Sequence, residues 1–154
     1  MWQELQCCLK WRETATLGIG TPVAMSSHME RPNRSALIEE VVGCAIEVHK
    51  VLGPGLLESA YDECLAHELH AKGLEFRRHV AVPVLYKGMR LNYGFRADYI
   101  VREALLLELK SVDAIAGIHY AQVLTYLRLT GLRHGLLLNF NSIRLVQGMR
   151  SIVL

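Results

Sequence analysis

No apolar stretch in the chain approaches the roughly 18 to 20 residues that a bilayer-crossing helix needs, and Glu4, Lys10, Arg12 and Glu13 interrupt the N-terminus in a way no secretory leader tolerates. A membrane or export route is therefore not expected. Cysteine is sparse and badly spaced for cross-linking. Cys7, Cys8, Cys44 and Cys64 form no CxxC pair and no zinc-like spacing, which argues against a structural zinc and favours free thiols in a reducing, cytoplasmic setting. Net charge is nearly absent, +2 over 154 residues, so composition neither requires nor forbids a polyanionic partner. No internal repeat is visible.

A chain of 154 residues holds one domain with one real core and is too short for two comfortable ones. Its 51% hydrophobic and 21% charged residues are ordinary for a globular protein. Residues 1–34 carry no sustained period and collect Gly18, Gly20, Pro22, Ser26, Ser27 and Pro32, so they read as a poorly ordered N-terminal extension before a domain at 35–154. Met25 and Met29 stand near the start of the patterned sequence, as they would if translation were assigned too far upstream.

Patterning opens at Ser35, an expected N-cap, and continues through Leu37, Ile38, Val41, Val42, Ala45, Ile46, Val48, His49 and Leu52 at helical spacing. Gly53-Pro54-Gly55 breaks this helix. A second helix follows, with Leu57, Tyr61, Leu65 and Leu69 as its apolar stripe and Gly73 at C′. From Glu75 the period becomes two. Val80, Val82 and Val84 run to a Lys87-Gly88 turn and return through Leu91, Tyr93, Phe95 and Ala97, which predicts a β-hairpin. Leu105 to Lys110 adds a third antiparallel strand, Ile118 to Thr130 a helix closed by Gly131, and Leu136 to Leu138 a buried strand. Ile143 to Leu145 and Ser151 to Val153 are candidate edge strands. The fold class is α+β, a central mixed sheet with an antiparallel three-strand meander flanked by helices.

Chemistry concentrates in Leu105-Leu106-Leu107-Glu108-Leu109-Lys110. The leucines suit a strand buried on both faces, yet a carboxylate in such a place costs several kcal/mol unless a partner compensates it. Glu108 and Lys110 project from the same face of a strand, roughly 7 Å apart at the backbone, leaving room for a divalent metal and its water. A short turn brings Asp98 beside Glu108. Two carboxylates plus water suit Mg²⁺ or Mn²⁺, and Lys110 would orient the attacking water or meet charge on a phosphate. The competing reading is a salt bridge at a strand edge.

Asp98 followed by Glu108-Leu109-Lys110 resembles the signature of the PD-(D/E)XK nuclease superfamily. Gly55-Leu56-Leu57-Glu58-Ser59-Ala60-Tyr61 is similar to the motif that names the small GxxExxY branch, and Leu52-Gly53-Pro54-Gly55 and Asn139-Phe140 are also similar to it. The resemblance covers roughly residues 35 to 154. It implies a restriction-endonuclease-like core and a metal-dependent nuclease: Asp98 and Glu108 as metal-binding acids, Glu58 as the acid of the first core helix, and Lys110 as the catalytic lysine. Gln122 and Tyr126 look like the QxxxY element of RecB-like members, lining a pocket with Tyr61 nearby. Bottom-up, Gln122 and Tyr126 lie four apart and so share one helical face.

Each residue also has a plainer role. Glu58 gains from the helix dipole at a first turn, Tyr61 suits the core, and Gln122 with Tyr126 could bond across a helix–sheet contact. His67 and His70 lack a third ligand. Arg77, Arg78, His79, Lys87, Arg90 and Arg96, with Tyr86, Tyr93 and Tyr99 among them, fit a solvated strand face as well as a phosphate-contacting one. The expected partner is DNA or RNA, with a homodimer open because so small a domain covers little duplex. The alternative is a non-catalytic module binding nucleic acid or protein on the same fold.

Overall fold

The computed structural model describes residues 34–91 and 95–154. The expected extension at 1–34, apart from the backbone of Arg34, and Tyr93 of the expected hairpin lie outside the described residues. Helix α1 (Arg34–Leu52) buries Leu37, Val41, Cys44, Ala45 and Val48, the face that the three-and-four spacing marked. Ser35 falls inside this helix rather than at its N-cap. Helix α2 (Glu58–Ala71) buries Tyr61, Leu65 and Leu69. Leu57, expected in the same stripe, precedes the helix and is 78% exposed. At its end Leu74 N–H donates to Leu69 O and Gly73 N–H to His70 O. These paired bonds close a Schellman motif that needs the positive φ of 71° found at Gly73.

Among the described residues seven strands follow in two sheets: β1 (Phe76–Ala81), β2 (Val84–Tyr86), β3 (Met89–Leu91), β4 (Arg96–Val101), β5 (Leu105–Lys110), β6 (His134–Asn139) and β7 (Met149–Val153). The five-stranded sheet has the order β1-β4-β5-β6-β7, antiparallel except for the parallel β5–β6 pair. Helix α3 (Gly117–Thr130) makes the β5–β6 crossover, and the short α4 (Leu145–Gly148) precedes β7. This is the α+β, mixed-sheet architecture expected from the sequence, with a three-strand meander of β1, β4 and β5.

The meander is not continuous. Pro83 has no N–H to extend the ladder, and after Val82 N–H donates to Phe95 O the chain leaves the sheet as a separate β2–β3 hairpin. The turn at Lys87-Gly88 falls where expected, but it closes this excursion, and the meander partner of β1 is β4. Near the C-terminus, Ser151 to Val153 lies in the edge strand β7, whereas Ile143 is exposed and Leu145 begins α4 rather than a strand.

Two apolar clusters cover the two faces of the sheet, and β5 belongs to both. Leu105, Leu107 and Leu109 pack with α1 and α2, while Leu106 packs with Val123, Tyr126 and Leu127 of α3. This is why the leucine run does not alternate with polar residues. At roughly 1.5–3 kcal/mol per buried leucine, these four anchor the strand that carries Glu108 and Lys110. Among the described residues no helix is long and apolar enough to cross a membrane.

Candidate active site

Glu108 and Lys110 share the parity of Leu106 and so project to the α3 side of β5. Arg102, Glu103 and Ala104 form the three-residue turn between β4 and β5, the first two with φ of 47° and 48°, and Ala104 N–H donates to Val101 O across it. The register it sets pairs Tyr99 with Leu107. One step further out, Asp98 comes opposite Glu108, and Asp98 Oδ2 accepts from Leu109 N–H at 2.8 Å. The acids at 98 and 108 therefore meet at the open end of the same two strands.

Glu108 is 1% exposed. Its Oε1 accepts from Lys110 Nζ at 2.7 Å, and Nζ also donates to Leu109 O at 2.8 Å. Its Oε2 is buried without a hydrogen-bond partner among the described residues. Burial first, then repulsion from Asp98 and more weakly Glu58, push the Glu108 carboxyl up to about 7, with Lys110 opposing. Burial raises Asp98 as well, against the Leu109 N–H bond and the Lys110 charge. For Lys110, burial favours loss of the proton, but the bond to Glu108 and the surrounding acids outweigh it and the net shift is upward.

Glu58 reaches the same place from α2. The residue is exposed as a whole, yet burial of its carboxyl is the main cause of a raised pKa, with Asp98 adding to it and Lys110 and the Ser111 backbone opposing. Its position follows from the loop before it. Gly55 turns the chain at φ 100°, Tyr61 O–H donates to Gly53 O at 2.7 Å, and the same oxygen accepts from Leu56 N–H at 3.1 Å. Ser111 O–H donates to Leu56 O at 2.6 Å, tying the loop to the end of β5. Tyr61 is fully buried, stacked on Phe140 with ring centres 4.6 Å apart. Glycine, helix-opening acid and tyrosine one turn on thus form one mechanical unit that sets where Glu58 sits.

Gln122 and Tyr126 come together, Gln122 Nε2 donating to Tyr126 O–H at 3.2 Å. Among the described residues neither is hydrogen-bonded to Asp98, Glu108 or Lys110; Tyr126 packs in the cluster of Leu106 and Leu137. His67 and His70 are exposed. Of the basic residues, Arg77 forms a bidentate pair with Glu103 at 2.7 Å and Arg78 bonds Asp62 and Glu63, so both are already matched by acids.

Two contributors had no role assigned from the sequence, although Asn139-Phe140 was noted there for its similarity to the branch. Asn139, 3% exposed, accepts from Val112 N–H at 3.0 Å and donates to Val112 O at 2.7 Å, clamping the segment that follows Lys110. Asp62, one turn after Glu58 on α2, bonds Arg78 and lies 3.3 Å from His79 Nε2. Its spacing of four from Glu58 was the available signal. The groove between α1 and α2, about 690 Å³ and lined by Glu39, Glu40, Glu47, Glu68 and Lys72, includes none of these residues.

Three carboxylates thus act on one another around a single ammonium, and one buried oxygen has no donor. Such a place is short of positive charge. Among the described residues no three His, Cys, Asp or Glu side chains are gathered to hold a metal between them. Two carboxylates completed by water are nevertheless an ordinary Mg²⁺ set, and the unpartnered Glu108 Oε2 is a hard donor that suits it.

Comparison with curated proteins and with solved structures found no match. The family model described as the PD-(D/E)XK nuclease superfamily matches residues 35–152, which is the whole of the described domain but its last residues. With an acid on β4, an acid-x-lysine on β5 and a mixed sheet between helices, the chain belongs to the PD-(D/E)XK nuclease superfamily.

Proposed function

We propose that residues 35–154 are a metal-dependent nuclease of the GxxExxY branch, hydrolysing phosphodiester bonds in nucleic acid by attack of water. The observation that carries the reading is Glu108: a carboxyl buried in a leucine strand, one oxygen on Lys110 and the other without a partner. A buried carboxylate oxygen without a donor is open to a cation, and here it faces Asp98 across the strand pair. The loop geometry of Gly55, Glu58 and Tyr61 supports the branch assignment.

Asp98 and Glu108 would hold Mg²⁺ or Mn²⁺, with Glu58 assisting. When bound, such a cation polarises the phosphate and lowers the pKa of an attacking water. Lys110 has three N–H donors, two of them committed to Glu108 and Leu109 O. The third would orient water or a non-bridging phosphate oxygen. Water forms the new bond to phosphorus, and the leaving oxygen departs with a proton. Glu108 fixes the Lys110 ammonium, Asp98 Oδ2 fixes the end of β5 through Leu109 N–H, and Tyr61 keeps Glu58 in place. Gln122 and Tyr126 shape the α3 wall of the pocket.

Hydrolysis of labelled single- and double-stranded DNA and RNA with Mg²⁺ or Mn²⁺ tests this, wild type beside Lys110→Ala. The wild type cleaves at least one substrate and the variant loses it. Equal activity in both removes the assignment.

A further inference from the structure

Among the described residues four that are not glycine have positive φ: His79, Lys87, Arg102 and Glu103. Lys87, Arg102 and Glu103 sit in short hairpin turns, where that geometry is used to reverse the chain. His79 does not. It lies inside β1 at φ 50°, a conformation that a side chain with a Cβ disfavours and a strand has no use for. The ladder pairs Arg78 with Tyr99 and Val80 with Ala97 and passes over His79 and Asp98 between them.

The deviation has a consequence for where the ring goes. Arg78 and His79, neighbours that should point to opposite faces, both reach Asp62 of α2. Asp62 is itself held, 13% exposed and bonded to Arg78, which also bonds Glu63. The imidazole is 47% exposed, with Nε2 on Asp62 and no hydrogen bond to Nδ1 among the described residues. In the register of β1 and β4 His79 falls opposite Asp98, at the step the ladder skips. A carboxylate 3.3 Å from one ring nitrogen, on a side chain that is half exposed, places an imidazole for use.

We propose that His79 is a further substrate-contacting residue of this site, oriented by Asp62 and donating through Nδ1–H to a backbone phosphate of the strand that lies over Asp98. The left-handed backbone turns the ring out of the ladder and onto Asp62. This rests on the nuclease reading above.

The experiment measures anisotropy of short fluorescent single-stranded DNA and RNA, with Ca²⁺ in place of Mg²⁺, together with thermal unfolding. It compares wild type, His79→Gly and His79→Asn. Glycine accepts the backbone and removes the donor; asparagine accepts it and returns an amide N–H near the position of Nδ1. Loss of one charge-assisted hydrogen bond predicts binding roughly tenfold weaker for the glycine variant, partial recovery with asparagine, and a Tm for both no lower than wild type. Affinities indistinguishable from wild type in both variants overturn the assignment while leaving the nuclease reading standing. So does weaker binding that follows a lowered Tm and shows no recovery with asparagine. If the wild type binds neither oligonucleotide, the nuclease reading falls and the role of His79 falls with it.

Discussion

Replacing Glu108 with glutamine keeps the side-chain volume and an oxygen for Lys110 while removing the ionisation. A carboxyl raised from its ordinary 4.5 to about 7 is more protonated in the folded chain than in the unfolded one throughout that interval. Its contribution to stability is therefore fully present below 4.5 and is lost as pH rises through 7. At about 1.4 kcal/mol per tenfold change in proton affinity, the loss is on the order of 3 kcal/mol. Asp98 and Glu58 are shifted in the same direction and add to the slope. The variant also removes the ionised partner of Lys110 at the alkaline end and changes a donor–acceptor set throughout, so the absolute values do not discriminate and the slopes do. Urea unfolding followed by circular dichroism, in EDTA at intervals from pH 4.5 to 8, gives both. Wild-type stability should decline by about 3 kcal/mol across the window and the decline should be much smaller in Glu108→Gln. Parallel slopes would refute the claim that Glu108 carries an uncompensated charge.

Tyr61→Phe keeps the stacking on Phe140 and loses the bonds to Gly53 O and Leu56 N–H; denaturant unfolding should show a cost of roughly 1–3 kcal/mol, and nuclease activity should fall because Glu58 is no longer fixed. Gly148→Ala brings a Cβ to 2.6 Å from Asn139 O and 2.2 Å from Ser142 Oγ, so the same measurement should show a loss of about 1–3 kcal/mol, disturbing the end of β6 that clamps the segment after Lys110. A wild-type Tm would contradict the packing in that corner. Mg²⁺ should raise the wild-type Tm at pH 8 and much less at pH 5.5, where Glu108 is protonated and must first release its proton. A rise independent of pH would place the ion elsewhere.

The leucine strand was legible because a run without alternation has few uses other than a strand buried on both sides, and the clusters on its two faces give each leucine a partner. Helix ends were legible where glycine imposes them, at Gly73 and Gly131, both in the left-handed region. The approach of Asp98 to Glu108 followed from a short turn between two strands. Pairings set by distant sequence were not legible. The β2–β3 excursion turns on one missing N–H at Pro83, whereas the alternating valines alone favour an unbroken strand. The bonds from Asp62 to Arg78 and His79 join α2 to β1, and no local pattern announces a positive φ inside a strand. Leu57 fits the helical stripe by spacing, but it stands one residue before the helix and is exposed among the described residues.

Everything proposed for the site depends on Asp98 and Glu108 sharing a cation. Calorimetric titration of Mn²⁺ into the metal-free protein at pH 8 tests that directly. The expected result is one saturable site in the wild type that disappears in both Asp98→Asn and Glu108→Gln, each variant still folded by circular dichroism; heat that persists unchanged in either variant would contradict it.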